Sequence, residues 1–178
     1  RDIIEDIKGN EWLITDNGLL KICKKSNGVT YYFVERKHVK KENKQSFFSS
    51  CMTKNEIYFG SSNGRVWKYS IKNDEFTLIT LPLKDNIIAI NRLKDGSIVF
   101  TSPFSGFIIR DTKSGQDIKY DTSSLKGFEK DQIQSVYVDK HDEIWFELIS
   151  KGKVSHFNPY NKVFKTENMF VGTKGADR

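Results

Sequence analysis

One short phrase recurs along this sequence, and its recurrence restricts the possible folds more than any other feature. NEWLITDNG at 10–18 returns as NEIYFGSSNG at 55–64 and as DEIWFELISKG at 142–152, with a degenerate copy between the last two. The glycines that end the four phrases follow one another at intervals of 46, 42 and 46 residues; they are Gly18, Gly64, Gly106 and Gly152. A period of this length predicts a repeat architecture in which each unit stacks on the next.

Each repeat reads as four short strands. Apolar runs such as WLIT and IYFGS precede the glycines, second runs such as LLKIC and RVWKYS follow them, and further runs flank each pair. Asn17-Gly18 and Asn63-Gly64 suit the positive φ angles of tight hairpins. The fold prediction is therefore all-β, with about four four-stranded antiparallel β-propeller blades, which either close as a four-bladed ring or form part of a larger one. We expect one propeller fragment over 1–178, with blades at 1–34, 47–81, 87–121 and 133–166.

Two other architectures were considered. Helical solenoids need apolar positions at i, i+3, i+4 and i+7 over at least about ten residues, and no window sustains that pattern between the Gly, Asn and Asp turns. A β-sandwich of about fourteen strands fits the composition, with 13 Phe, 7 Tyr and 3 Trp, but it does not explain the period. No run approaches the roughly 20 apolar residues of a membrane helix.

Charge and cysteine usage give weaker predictions. The net charge is +6, and much of it lies in ERKHVKKENK at 35–44. This link between repeats is either a solvated loop or a polyanion site; without interleaved aromatics, it predicts no direct nucleic-acid binding. Cys23 and Cys51 fit no metal-ligand spacing. We expect two small buried thiols, with a disulfide between neighbouring repeats as the alternative.

The first repeat, Ile3 to Leu19, resembles the two-component regulator propeller repeat. The fourth repeat keeps Asp139, Trp145 and Gly152, whereas the second and third keep only the hairpin frame and its glycine. The resemblance implies the extracytoplasmic sensor region of a hybrid two-component system of Bacteroidetes type, located in the periplasm. It also implies flanking propeller blades, so that the four blades form part of a larger seven-bladed propeller. A homodimeric receptor and a histidine kinase elsewhere in the full-length protein are further implications of the resemblance.

The sequence gives little indication of catalysis. His38, His141 and His156 lie in three different repeats, and no nucleophile elbow, HExxH motif or phosphate-binding glycine loop occurs. Carboxylates recur where a first strand turns into a second one, as turn chemistry requires; they are Asp6, Asp95, Asp139 and Asp142. Trp12, Tyr58 and Trp145 occupy equivalent positions and are expected to pack between blades. We predict no catalytic residues, metal or cofactor for this segment.

The predicted binding site lies on the loops at one face of the blades. SPFSG at 102–106 places Phe104 where other repeats carry polar residues or Ile149, and an aromatic ring there can either stack on a sugar or cap the blades. Polar turn residues supply hydrogen bonds, and the basic link adds positive charge. The candidate ligand-binding residues are Asp16, Asn17, Arg36, Lys37, Lys40, Ser62, Asn63, Phe104 and Ser105.

Three functions are compatible with these observations. The first is a sensor segment that binds a glycan or oligosaccharide and signals to transcription. The second is a non-catalytic propeller scaffold that binds another protein or a second copy. The third is a polysaccharide lyase or hydrolase. Binding to a particular oligosaccharide would separate the first function from the second.

Overall fold

The computed structural model describes residues 2–33, 45–121, 124–125, 132–149 and 153–168, and these contain sixteen β-strands. The first sheet comprises β1 Ile3–Glu5, β2 Glu11–Thr15, β3 Gly18–Cys23 and β4 Gly28–Tyr32; the second comprises β5 Phe47–Met52, β6 Glu56–Ser61, β7 Arg65–Ser70 and β8 Glu75–Thr80. The third comprises β9 Ala89–Arg92, β10 Ile98–Ser102, β11 Gly106–Arg110 and β12 Asp117–Tyr120; the fourth comprises β13 Ile133–Val138, β14 Ile144–Leu148, β15 Lys153–Asn158 and β16 Val163–Asn168.

Each sheet is antiparallel, and its four strands are hydrogen-bonded in the order in which the chain makes them. The first strands β5, β9 and β13 lie beside one another, so the sheets converge there and their last strands point outwards. The prediction of an all-β fold built from four-stranded antiparallel propeller blades is therefore confirmed. We refer to each sheet as a blade.

The turn between the second and third strands shows why glycine recurs. In the second blade Asn63 has φ 57° and Gly64 has φ 66°, the pair of left-handed residues that a type I′ hairpin needs. A Cβ on Gly64 would lie 2.1 Å from the carbonyl oxygen of Leu83. Gly106 has φ 83°, and its Cβ would lie 2.1 Å from the carbonyl oxygen of Tyr120. Both glycines therefore serve backbone conformation and close approach.

Three apolar clusters fill the spaces between consecutive blades. The first joins blades one and two around Trp12 and Phe59, the second joins blades two and three around Tyr58 and Phe100, and the third joins blades three and four around Phe146. Within the described ranges, none of these clusters combines residues of the first and fourth blades. A four-stranded sheet with two apolar faces buries them by stacking, as the repeat predicts.

Trp12 forms the centre of the first cluster and is fully buried. Its ring lies 4.6 Å from that of Tyr69 and 5.4 Å from that of Phe59. Lys21 Nζ lies 5.2 Å from the Trp12 ring and donates to Tyr69 Oη at 2.7 Å and to Asp74 Oδ1 at 3.2 Å. Burial alone would lower the pKa of Lys21, but these two hydrogen bonds outweigh it and raise that pKa. The lysine therefore stays charged within the interface.

An aspartate binds the tryptophan in the first and fourth blades. Asp6 is buried and accepts from Trp12 Nε1 at 3.1 Å, from Asn10 Nδ2 at 3.0 Å and from two backbone amides. Asp139 likewise accepts from Trp145 Nε1 at 3.3 Å and from two amides of its turn. These contacts show that both carboxylates act in turn formation.

Trp145 differs from Trp12 in its surroundings. It is only partly covered, because its face of the fourth blade points away from the third. The expectation that both tryptophans pack between blades therefore holds for Trp12, whereas Trp145 packs against His156 of its own sheet, with ring centroids 4.6 Å apart.

Neither of the two cysteines forms a disulfide in the described part of the chain. Cys23 and Cys51 are free and half-buried rather than paired. Burial raises the pKa of the Cys51 thiol to about 11. In the part of the chain that the structure describes, no helix has both the length and the apolar character needed to cross a bilayer.

Candidate functional site

The blades present two edges, which we name the upper and lower edges. The upper edge carries the turns between second and third strands together with the links between blades. The lower edge carries the turns between first and second strands and between third and fourth strands. Loops on a rigid β-scaffold are the usual place for binding residues, so each edge is a candidate binding surface.

At the upper edge, the first two blades join through hydrogen bonds to the segment that enters the second blade. Ser46 Oγ donates to the backbone oxygen of Asp16 at 2.8 Å, and Gln45 Nε2 donates to Ser62 Oγ at 3.1 Å. Asp16 and Asn17 are exposed. The predicted turn residues of these two blades thus lie in one row.

Asp85 extends this row to the third blade. Its backbone oxygen accepts from the amide of Gly64 at 2.8 Å. Its Oδ2 accepts from Ser105 Oγ at 2.5 Å and from Ser102 Oγ at 3.1 Å. The turn that bears Phe104 is therefore fixed on both sides of that residue.

Phe104 is 67% exposed on this fixed turn. A ring this open buries little surface in the core, so one of its faces is accessible to a ligand. Its neighbours at the edge offer hydroxyl and carboxylate groups, Ser105 and Asp85 among them. An aromatic plane beside directional polar groups can bind the apolar face and the hydroxyls of a sugar ring.

Six of the nine predicted site residues lie on this row: Asp16, Asn17, Ser62, Asn63, Phe104 and Ser105. Arg36, Lys37 and Lys40 lie outside the described residues, so the basic link stays a prediction. Sequence reasoning missed Gln45, Ser46 and Asp85. Asp85 stands in the link LPLKDN without any repeated pattern around it, and only the fold reveals that it contacts two turns.

Among the described residues, grooves open on the lower edge at the second, third and fourth blades. Their volumes are about 470, 270 and 410 Å³ respectively. The groove of the fourth blade lies between the first-to-second and third-to-fourth turns of that blade. The grooves of the second and third blades lie between the corresponding turns, and the next blade also lines each of them, with Arg92 in the first case and with Pro159, Tyr160 and Lys162 in the second. In the first blade, Lys8 reaches across from the corresponding turn, and its Nζ donates to the backbone oxygen of Ile71 at 2.5 Å.

The groove of the fourth blade contains the most conspicuous titratable pair. His156 Nδ1 lies 2.6 Å from Glu143 Oε1, and Asn158 Nδ2 donates to Glu143 Oε2 at 3.0 Å. The His156 ring stacks on Trp145. The imidazole is thus held by a hydrogen bond and by ring contact within its own sheet. Within the described ranges, no group of three or more His, Cys, Asp and Glu side chains could hold a metal ion.

Comparisons with known proteins support the fold. No protein-family model and no curated protein matches this sequence. Among solved structures, virginiamycin B lyase from Staphylococcus aureus is similar at 15% identity and a TM-score of 0.71, over 93% of this chain and 54% of that one. YCF48 bound to D1 peptide is similar at 13% identity and a TM-score of 0.69, over 94% and 52%.

A third similar structure is an extracellular domain. The extracellular domain of a putative hybrid two-component system from B. thetaiotaomicron is similar at 15% identity and a TM-score of 0.59, over 95% of this chain and 28% of that one. The present chain thus spans about half the length of the lyase and a smaller share of the sensor domain. The TM-scores show that the chain has the fold of β-propeller proteins, a group that includes enzymes, binding proteins and sensor domains. At identities this low, the similarity shows the fold alone.

Proposed function

We propose that this chain is a non-catalytic, ligand-sensing propeller segment from the extracytoplasmic part of a hybrid two-component sensor histidine kinase, and that its ligand is a glycan or oligosaccharide. The resemblance of the first repeat to the two-component regulator propeller repeat supports the family. The similarity to a solved extracellular sensor domain is compatible with it. A periplasmic location follows from the same proposal.

The exposure of Phe104 is the observation that carries the proposal. The side chain is 67% exposed, whereas Asp85 fixes the turn around it through Ser102 and Ser105. A preorganised aromatic plane binds a rigid ring without the entropy cost of ordering a mobile loop. The polar row from Asp16 to Ser105 supplies hydrogen-bond partners for sugar hydroxyls.

The test is a screen of oligosaccharides on an array, followed by calorimetry with the best binder. Phe104→Ala should weaken binding about tenfold, the effect of losing one favourable ring contact. Tyr137→Ala is the matched control, because Tyr137 is 66% exposed but lies on the outer face of the fourth blade. It should leave the affinity unchanged.

Two outcomes would favour other functions. If no oligosaccharide binds, the sensor proposal fails and a protein-interaction scaffold becomes the better reading; the similarity to a peptide-bound propeller is compatible with that alternative. If an oligosaccharide is cleaved during the screen, the chain is a polysaccharide lyase or hydrolase. Equal loss in both variants would show that exposed aromatics bind the ligand without specificity.

A further inference from the structure

The groove of the second blade, on the lower edge, differs in charge from its counterparts. Its volume of about 470 Å³ falls within the ~300–1,000 Å³ range of small-molecule sites. Three exposed cationic side chains line it: Lys54 on one turn, Lys72 on the other, and Arg92 from the third blade. None of the three forms an ion pair with a carboxylate in the described part of the chain.

The carboxylate of this groove is already neutralised. Glu56 Oε1 lies 2.9 Å from Lys68 Nζ, and Glu56 Oε2 accepts from Tyr58 Oη at 2.7 Å. Burial alone would raise the pKa of Glu56, but the hydrogen bonds from Lys68 and Tyr58 outweigh it and lower that pKa. Glu56 is therefore paired with Lys68, and it does not neutralise the three cations around the opening of the groove.

The equivalent grooves show that this charge is not a requirement of the fold. The groove of the third blade contains Asp95, Asp111 and one lysine. The groove of the fourth contains two carboxylates and one lysine, together with two histidines: Asp139, Glu143, Lys165, His141 and His156. Since the same turns form all three grooves, three cations are not needed to build such a groove. Their convergence distinguishes the second blade.

Neutral polar groups accompany the cations. Asn55 and Asn73 contribute amides, and Thr53 and Ser70 contribute hydroxyls. Among the residues that the structure describes, the lining contains no aromatic side chain on which a nucleic-acid base could stack and no apolar side chain suited to a lipid. Cations placed among amides and hydroxyls match a ligand that carries both anionic groups and hydroxyl groups.

We propose that this groove is a second binding site, separate from the upper edge, and that it binds an acidic oligosaccharide through a sulfate or carboxylate group. Arg92 and the two lysines contact the anion, and the amides and hydroxyls contact the sugar. The inference does not depend on Phe104 and stands or falls independently of the function proposed above.

The experiment is calorimetry on the full 178-residue chain with four probes: a trisulfated heparin-derived disaccharide, an unsulfated uronate disaccharide, neutral cellobiose and inorganic sulfate. Lys54→Gln/Lys72→Gln/Arg92→Gln should weaken binding of the acidic disaccharide at least about tenfold. Raising the salt from about 0.05 to about 0.3 M should weaken wild-type binding and reduce the difference between wild type and variant.

Two controls make the result specific. Lys25→Gln/Lys113→Gln/Lys140→Gln removes the same charge from exposed positions outside the groove, and it should bind as wild type does. Tyr137→Ala changes an exposed side chain on the outer face of the fourth blade, away from the groove, and it should also bind the acidic probe as wild type does. The tighter of the two acidic disaccharides identifies the preferred anion.

Several outcomes would overturn the inference. Equal weakening by the two triple variants would indicate attraction to net charge alone. If inorganic sulfate binds as tightly as the disaccharides, the sugar contributes nothing to binding and the site is not specific for an oligosaccharide. Weakening only in Arg36→Gln/Lys37→Gln/Lys40→Gln would move the ligand to the basic link. If cellobiose binds as tightly as the acidic disaccharides, the anionic group contributes nothing to binding.

Discussion

The first and fourth blades each contain a hydrogen-bonded aspartate and tryptophan pair, but the two tryptophans differ in burial. Asp6 accepts a hydrogen bond from the indole of Trp12, and Asp139 accepts one from the indole of Trp145. In each pair the two residues are six positions apart in sequence. Trp12 is then covered by the second blade, whereas Trp145 faces outwards. The local geometry is therefore encoded within one repeat, and burial is decided by the neighbouring blade.

This difference predicts unequal costs for the same substitution. Trp12→Ala should lower the free energy of unfolding by about 3–5 kcal/mol, as truncation of a fully packed aromatic does. Trp145→Ala should cost only about 1–2 kcal/mol, because the side chain is partly exposed and loses mainly its contact with His156. Urea denaturation of both variants measures the two values. Equal losses would mean that Trp145 is as deeply packed as Trp12.

A second prediction concerns pH. Burial alone would raise the pKa of Asp6, but hydrogen bonds from Trp12, from Asn10 and from the amide of Lys8 lower it below the ordinary value of 3.8. A depressed folded-state pKa adds stability that is fully present above the unfolded-state value and disappears as the pH falls through the folded-state value.

Asp6→Asn should therefore be less stable than the wild type at neutral pH, and the difference should shrink below about pH 4. Thermal unfolding of both proteins between about pH 7 and pH 2 measures this. The remaining carboxylates are common to both proteins and cancel in the comparison. A difference that stays constant across the range would show that the ionised form of Asp6 is not what the turn requires.

At the scale of the strand and turn, three glycines with positive φ allow strain to be separated from steric clash. Gly64→Ala and Gly106→Ala combine an unfavourable φ with a Cβ only 2.1 Å from a carbonyl oxygen. Gly115 has φ 73° but no atom within 4 Å of its Cβ position.

Gly115→Ala should cost about 1–2 kcal/mol from backbone strain alone. The other two variants should each cost at least ~2 kcal/mol more, because backbone atoms must move. Chemical denaturation of the three single variants tests this order. Similar values for all three would show that the links at Leu83 and Tyr120 yield readily.

The strands and turns were predictable from sequence because each depends on local chemistry. Alternating apolar residues, an Asn-Gly pair and a fixed period were enough to define blades with four strands. The site was predictable only in part. Phe104 stands out as an aromatic residue in a polar turn, but Asp85 acts through partners about 20 residues away. The groove around Lys54 and Arg92 requires residues from two blades, which no single repeat contains.

At the scale of the whole molecule, the outer face of the first blade is apolar. Ile3, Leu13, Leu20 and Tyr31 are paired across its four strands in one row. Ile3 is 67% and Tyr31 is 50% exposed. The corresponding row of the fourth blade comprises Tyr137, Trp145, His156 and Lys165. At equivalent positions of the inner blades, aromatic residues such as Phe59 are fully buried against a neighbour.

The 178-residue chain should therefore self-associate, since contiguous apolar patches beyond roughly 300–600 Å² are uncommon on soluble monomers. Ile3→Lys/Tyr31→Lys should shift the chain towards monomer in sedimentation velocity runs at several concentrations. Leu78→Lys/Ile118→Lys is the matched control, because those exposed residues lie on the last strands of the second and third blades. It should associate as the wild type does. A wild-type chain that is monomeric at every concentration and binds no hydrophobic dye would contradict the prediction and favour a closed four-bladed ring. If both variants dissociate, the added positive charge disrupts association wherever it is placed, and the result does not assign association to the outer face.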